Sequence, residues 1–320
     1  MKKLVVFTPR LNDGHRAAIT DAAGARGYAA VFCRDLDQAL AESADAEIIL
    51  SPEPALIRAA KALKWICVSY AGVEPFLSPD AYASPEAVLT NSSGAYGVTI
   101  AEHVIMVTLE LMRRQQDYNR IVAERRWVRD LSIRSIRGCR ATLLGTGDIG
   151  RETAARLRAF GPKTIVGVNR SGRDAGGAFD RTLPVSALDD VLSGTDLLVM
   201  SLPDTPETRG ILDARRLALL PGDAFLVNVG RGSALDQAAL AEQLRSGRLS
   251  GAALDVFARE PLPPEDALWD CPRLLITTHV AGNMTLDYTV DRIVEMFLED
   301  LDNYCAGRPL AHRVDRQLGY

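Results

Sequence analysis

Gly145, Gly147 and Gly150 lie in the stretch LLGTGDIGRETAARL, between an apolar run and a helix-compatible one, a spacing that could hold a dinucleotide. Gly145 would allow the tight turn, Gly147 would let the backbone approach a pyrophosphate, and Gly150 would let helix pack on strand. Asp148 and Ile149 fall in the first turn of that helix, where unpaired N–H groups and the helix dipole favour an anion. The next apolar run, Thr164–Val168, ends where an acidic residue would hold the ribose hydroxyls of NAD, but Asn169, Arg170, Ser171, Gly172 and Arg173 stand there instead. With no carboxylate to repel it, a ribose 2′-phosphate could be met by the Arg170 guanidinium and by Asn169, Ser171 or Arg173. The expected cofactor is therefore NADP ahead of NAD.

Three further motifs follow predicted strands: VNVGRGSALD after Ala224–Asn228, DVFAREPLP after Gly251–Asp255 and THVAG after Leu274–Thr277. Open α/β sheets place ligands beyond the carboxyl ends of their strands, so Arg231, Glu260 and His279 can converge. With SYAGVE, GAYGVTIAEHV, GTGDIG and SLPDTPETRG, these motifs form an ordered set spanning nearly the whole chain. In that set the sequence resembles the D-isomer-specific 2-hydroxyacid dehydrogenase family. The resemblance implies reversible NAD(P)H-dependent reduction of a 2-oxo acid to a D-2-hydroxy acid.

The residue types suit that reaction. Arg231 can hold the substrate carboxylate and the adjacent carbonyl oxygen through a planar fork of donors that lysine could not reproduce. Backbone N–H groups of Ala71, Gly72 and Val73 would hold the other side of the carboxylate. Hydride transfer leaves negative charge on oxygen; His279 is expected as general acid in reduction and base in oxidation, with Glu260 favouring its protonated form. By the same resemblance Leu202 and Pro203 would face the adenine, and Val229 and Gly230 would pass close to the cofactor. His279, Ala281 and Gly282 would line it, with Tyr96 and Thr99 near the nicotinamide. Asp255 would accept from the carboxamide, a helix or turn cap being the other reading. Two departures stand out: Thr278 occupies a position usually held by proline, and the acidic ribose ligand is absent. Other activities on such a scaffold are a nucleotide-sensing corepressor and phosphite oxidation.

The elements that must position these residues are legible as a pattern. Apolar runs at Leu4–Phe7, Ala29–Phe32, Glu47–Leu50, Lys64–Val68 and Val88–Thr90 alternate with helix-compatible segments such as Arg16–Arg26 and Pro54–Ala62. A long helical pattern covers Thr99–Glu124, and six strands follow: Arg140–Gly145, Thr164–Val168, Asp196–Ser201, Ala224–Asn228, Gly251–Asp255 and Leu274–Thr277. A last helix, Leu286 to Cys305, comes after that series. The expected fold is α/β, with two Rossmann-like doubly wound parallel-sheet domains and a cleft between them. Residues 1–97 plus 287–320 would form a discontinuous, flavodoxin-like substrate domain, and 98–286 the dinucleotide domain. A helix and arm at about 99–130 would make a homodimer.

Composition narrows the classes of partner. The 320 residues are 47% apolar with net charge −4, and the basic residues are dispersed, so a small molecule is expected rather than nucleic acid or a membrane surface. The apolar run LVVF stops at Thr8-Pro9-Arg10, too soon for a signal peptide, and no appended regulatory domain is expected after the last helix. Five widely spaced cysteines without a CxxC pair suit a reducing cytoplasm, and with only four histidines no metal site is expected. His103 reads as a structural residue on its helix's apolar face, and His15 and His312 as exposed.

Overall fold

The computed structural model describes all 320 residues, which divide into two units: Met1–Tyr96 with Met284–Tyr320, and Gly97–Asn283. In the first unit, strands β1 (Lys2–Val6), β2 (Tyr28–Phe32), β3 (Ile48–Leu50), β4 (Trp65–Val68) and β5 (Val88–Asn91) form one parallel sheet in the order β2-β1-β3-β4-β5. Side chains alternate across a strand, and here both faces are buried. Val5, Ile49, Ile66 and Leu89 pack into one cluster with Leu56 and Ile57. Leu4, Val6, Ile48, Leu50 and Trp65 pack into another, which the Asp287–Cys305 helix covers with Phe297 and Leu301. Phe297 stacks on Trp65 at 5.2 Å between ring centroids, a pairing worth about 0.5–1.5 kcal/mol beyond the area it buries. This packing is why the last helix belongs to the unit that begins the chain.

The second unit holds β6 (Arg140–Leu144), β7 (Thr164–Asn169), β8 (Arg181–Pro184), β9 (Leu197–Met200), β10 (Phe225–Asn228), β11 (Gly251–Leu254) and β12 (Leu274–Ile276). All pairs are parallel, in the order β12-β11-β10-β9-β6-β7-β8. Strand order reverses between β6 and β9, the switch point at which doubly wound sheets take their ligands. The sheet has seven strands where six were expected. The missed strand, β8, reads Arg-Thr-Leu-Pro, lies at the sheet edge beside β7 and is only partly buried, so no apolar run marks it.

The expected single helix over Thr99–Glu124 is two helices, Gly97–Arg113 and Gln115–Ala123. Arg114 breaks the chain with φ of 57°, and its Nε bonds Asp117 at 2.8 Å in the first turn of the second helix. Neither glycine nor proline announces that break. No helix is long and apolar enough to cross a membrane.

Two histidines expected to be exposed are not. His15 is buried: Asn12 N–H donates to its Nδ1, leaving Nε2 to donate to Asp291 at 2.7 Å on the last helix. His312 meets the buried Asp300 at 3.0 Å in a segment that returns beside β5, where Val314 N–H donates to Leu89. Both are tied by contacts distant in sequence.

Candidate active site

The turn after β6 is built around its glycines. Gly145 has φ of +111°, and a Cβ there would lie 2.7 Å from Ser201 Oγ and 2.8 Å from the Ser201 carbonyl. Gly150 is as constrained, since its Cβ would fall 2.2 Å from the Gly145 carbonyl oxygen. Gly147 faces open space within 4 Å and caps the Asp148–Arg158 helix without a side-chain bond. Two glycines thus close the turn, and the third leaves room for a ligand against the backbone at a helix N-terminus. Asp148 turns its carboxylate against Gly97, where a Cβ would be 2.2 Å from Oδ2. Ile149 is half-buried in the same turn.

The loop after β7 is shaped by Asn169. Its Oδ1 accepts from Ser171 N–H (3.1 Å) and Gly172 N–H (2.7 Å), and its Nδ2 donates to Thr146 Oγ1 and the Arg173 carbonyl, both at 2.9 Å. Both amide hydrogens and two acceptor positions are spent, one hydrogen on Thr146 in the turn after β6 and the rest within the loop. Asn169 therefore acts as a scaffold, and the groups it displays are Arg170, Ser171 and Arg173, all exposed. Gly172, at φ of +74°, lies so close to Pro184 that a Cβ would be 2.7 Å from its ring.

A second amide, this one buried, shapes the turn that carries Arg231. Asn228, fully buried at the end of β10, donates to the Arg231 carbonyl at 3.0 Å and accepts from Gly230 N–H at 3.1 Å. Val229 N–H bonds Met200, continuing the sheet register to the turn. The glycines on either side of Arg231 are wedged against neighbouring strand-end loops. A Cβ at Gly230 would be 2.5 Å from Leu202 N, and one at Gly232 would be 1.9 Å from the Phe257 carbonyl carbon. Leu202 and Pro203 are half-buried. Sequence reading missed Asn228, although a fully polar side chain ending an apolar strand before Gly-Arg-Gly was the available signal.

Contact then runs from the Arg231 turn to the histidine. Gly232 lies against Phe257, whose N–H donates to Glu260 Oε1 at 2.8 Å, and Glu260 Oε2 bonds His279 Nδ1 at 2.6 Å. An ionised carboxylate only accepts, so Nδ1 carries a hydrogen and Nε2 is the atom left to give or take a proton. His279 is half exposed and sits at φ of 56°, a left-handed backbone that costs a non-glycine residue about 1–2 kcal/mol.

Asp255 holds that conformation. Its carbonyl accepts from His279 N–H (2.9 Å), Oδ1 from Thr277 Oγ1 (2.6 Å) and Val280 N–H (3.0 Å), and Oδ2 from Ala281 N–H (3.0 Å). The side chain is buried and three of its acceptor positions are taken. Asp255 is first a brace for the Thr277–Ala281 loop. His103, read as structural, reaches the same cluster, with Nε2 3.3 Å from Thr277 Oγ1.

In the first unit, Ser69–Val73 follows β4. Tyr96 donates to the Ser69 carbonyl at 2.6 Å, and Asn91 Nδ2 to the Ala71 carbonyl at 2.8 Å. Burial pushes the Tyr96 hydroxyl up, which keeps it a donor. Cys67, in β4 beside this segment, offers no competing nucleophile: burial pushes its thiol up to about 12.

A parallel sheet whose switch point carries a glycine turn, with an arginine turn and a carboxylate–imidazole pair at neighbouring strand ends, defines a nucleotide-dependent oxidoreductase. The profile of the D-isomer specific 2-hydroxyacid dehydrogenase NAD-binding domain matches residues 105–281. The chain is 31% identical over 290 residues to glyoxylate/hydroxypyruvate reductase A of Klebsiella pneumoniae (strain 342), covering 87% of this chain and 88% of that protein. A D-isomer specific 2-hydroxyacid dehydrogenase family protein from Aeromonas salmonicida superposes with a TM-score of 0.86 at 32% identity, over 98% of this chain and 99% of that one. NADPH-dependent glyoxylate/hydroxypyruvate reductase from Sinorhizobium meliloti, in complex with NADP and sulfate, superposes with a TM-score of 0.84 at 29% identity over the full length of both. The chain belongs to the D-isomer specific 2-hydroxyacid dehydrogenase family.

Proposed function

We propose that this protein reduces a small 2-oxo acid to the D-2-hydroxy acid with NADPH, His279 giving the proton. The observation that carries this reading is the 2.6 Å contact of Glu260 with His279 Nδ1, which leaves Nε2 to the substrate oxygen. The open face of Gly147 and the strained turn at Gly145 fit a pyrophosphate. When bound, the nicotinamide supplies the hydride. Arg231 binds the substrate carboxylate and polarises its carbonyl. His279 Nε2 donates as charge develops on oxygen, and Glu260 stabilises the imidazolium before transfer. Val229, Gly230, Leu202, Pro203, Ala281 and Gly282 would border the cofactor.

NADPH is preferred in this reading because the β7 loop displays Arg170, Ser171 and Arg173 and has no carboxylate at Asn169. The Sinorhizobium reductase, crystallised with NADP, supports that choice, and the Klebsiella relative points to glyoxylate and hydroxypyruvate as first substrates. The test is loss of nicotinamide absorbance with NADPH or NADH against 2-oxo acids from glyoxylate to phenylpyruvate. Turnover preferring NADPH and giving the D-product is expected. Cofactor binding without turnover of any 2-oxo acid would overturn the proposal in favour of a sensor or of another substrate such as phosphite. The exposed Met106, Val122 and Trp127, in and after the two helices at 97–123, support a homodimer in the same reading.

A further inference from the structure

We propose that His103 is a positioning residue for this reaction: by holding the Thr277 hydroxyl it sets Asp255, and through Asp255 the loop that presents His279. The inference rests on the reductase reading for its consequence, although its structural core does not. His103 lies on the Gly97–Arg113 helix, which packs against β10 and β11, and Thr277 is the first residue after β12. Thr277 has one hydroxyl hydrogen, and the 2.6 Å bond to Asp255 Oδ1 uses it. The 3.3 Å contact with His103 Nε2 must therefore run the other way, from an Nε2–H donor to the threonine oxygen.

The surroundings keep that donor neutral. Burial lowers the His103 pKa, against the opposing pull of Asp255 across the contact and of Glu110 on its own helix. A hydroxyl that accepts one hydrogen bond becomes a better donor in the next, so the imidazole strengthens the grip of Thr277 on Asp255. Asp255 has four bonds to the His279 loop to keep in register: one from Thr277, one from each of Val280 and Ala281, and one from its carbonyl to His279 N–H. Loosening one corner releases a left-handed residue whose backbone prefers to relax, and the proton donor moves off its line.

The test combines nitrogen NMR of histidine-labelled protein, amide hydrogen exchange of the cofactor-free protein, and steady-state kinetics. In wild type the His103 imidazole, assigned by its loss in His103→Gln, is expected as the neutral Nε2–H tautomer. The Nδ1–H tautomer would overturn the proposal without any variant being active or stable. His103→Phe should raise exchange at Val280 and Ala281 and lower kcat, each by roughly tenfold. His103→Gln, which keeps an N–H donor at similar reach, should restore both. In Thr277→Val, adding His103→Phe should cost nothing more; additive losses, or unchanged exchange in His103→Phe, would overturn the relay. A wild type that turns over no 2-oxo acid, yet shows the exchange differences, would retain the relay and reject the reductase reading.

Discussion

At the scale of single residues, the chemistry depends on which atom of each polar group is left over. Glu260 takes His279 Nδ1 and Phe257 N–H with its two oxygens, so in the proposed reaction proton transfer falls to Nε2. His279→Ala should lower kcat by roughly 10²–10⁴-fold while NADPH affinity, measured by fluorescence titration, stays near wild type. Full activity in that variant would remove His279 from the mechanism. Gly232 is the other residue on which the geometry turns. A methyl group there would lie 1.9 Å from backbone of Phe257, the loop that also holds Glu260. Gly232→Ala should therefore lose most activity through displacement of both Arg231 and Glu260, a shift visible as raised KM for the oxo acid together with lowered kcat. The glycine spacing and the Arg, Glu and His identities were legible in sequence. The bracing by Asn228 and Asp255 was not, because an amide or carboxylate at a strand end does not say which backbone groups it will meet.

At the scale of elements, strand-end loops divide the work between holding and displaying. Asn169 holds the β7 loop with all four of its bonds so that Arg170, Ser171 and Arg173 face outward. Asn169→Asp keeps the acceptors for Ser171 and Gly172 but cannot donate to Thr146 or Arg173, and it adds a negative charge where a phosphate is expected. The ratio of kcat/KM for NADPH over NADH should fall about tenfold or more, given the strength of charge-assisted phosphate contacts. An unchanged ratio would mean that discrimination lies elsewhere. Strands with apolar runs were readable because both faces of these sheets are buried. β8 was missed because an edge strand need not be apolar, and the break at Arg114 because a left-handed arginine carries no sequence mark.

At the scale of the whole molecule, the first unit is closed by residues far from its beginning. The tail returns beside β5 through Val314 and is held by the buried Asp300, which accepts from Ala311 N–H at 2.6 Å and bonds His312. The Asp300 hydrogen bond raises the His312 pKa above the ordinary 6.5, burial opposing. A raised folded value means that the contribution is complete below the unfolded pKa and is lost as pH rises through the folded one. Urea midpoints should accordingly fall between pH 6 and pH 9 in wild type, and less so in His312→Asn. Equal slopes in the two proteins would discount the pair. Assembly is tested by light scattering: a dimer of the 34.7 kDa chain is expected, and Trp127→Ser, which removes a 91% exposed indole, should weaken it. A wild-type monomer at micromolar concentration would refute the proposed contact.

The sequence by itself determined what is local: the alternation of apolar runs, the turn only glycines can make before Asp148, and the residue types able to bind a carboxylate and move a proton. Its ordered motifs also carried the family. Only the tertiary structure decided which hydrogen-bonding capacity is spent on scaffold and which remains for ligands, as at Asn169, Asp255 and the Nδ1 and Nε2 atoms of His279. It also decided that His15 and His312 are held rather than exposed. The reason is physical: a backbone preference is written in one residue and its neighbours, whereas the partner of a buried polar atom is set by strands and helices that meet only after the chain has folded.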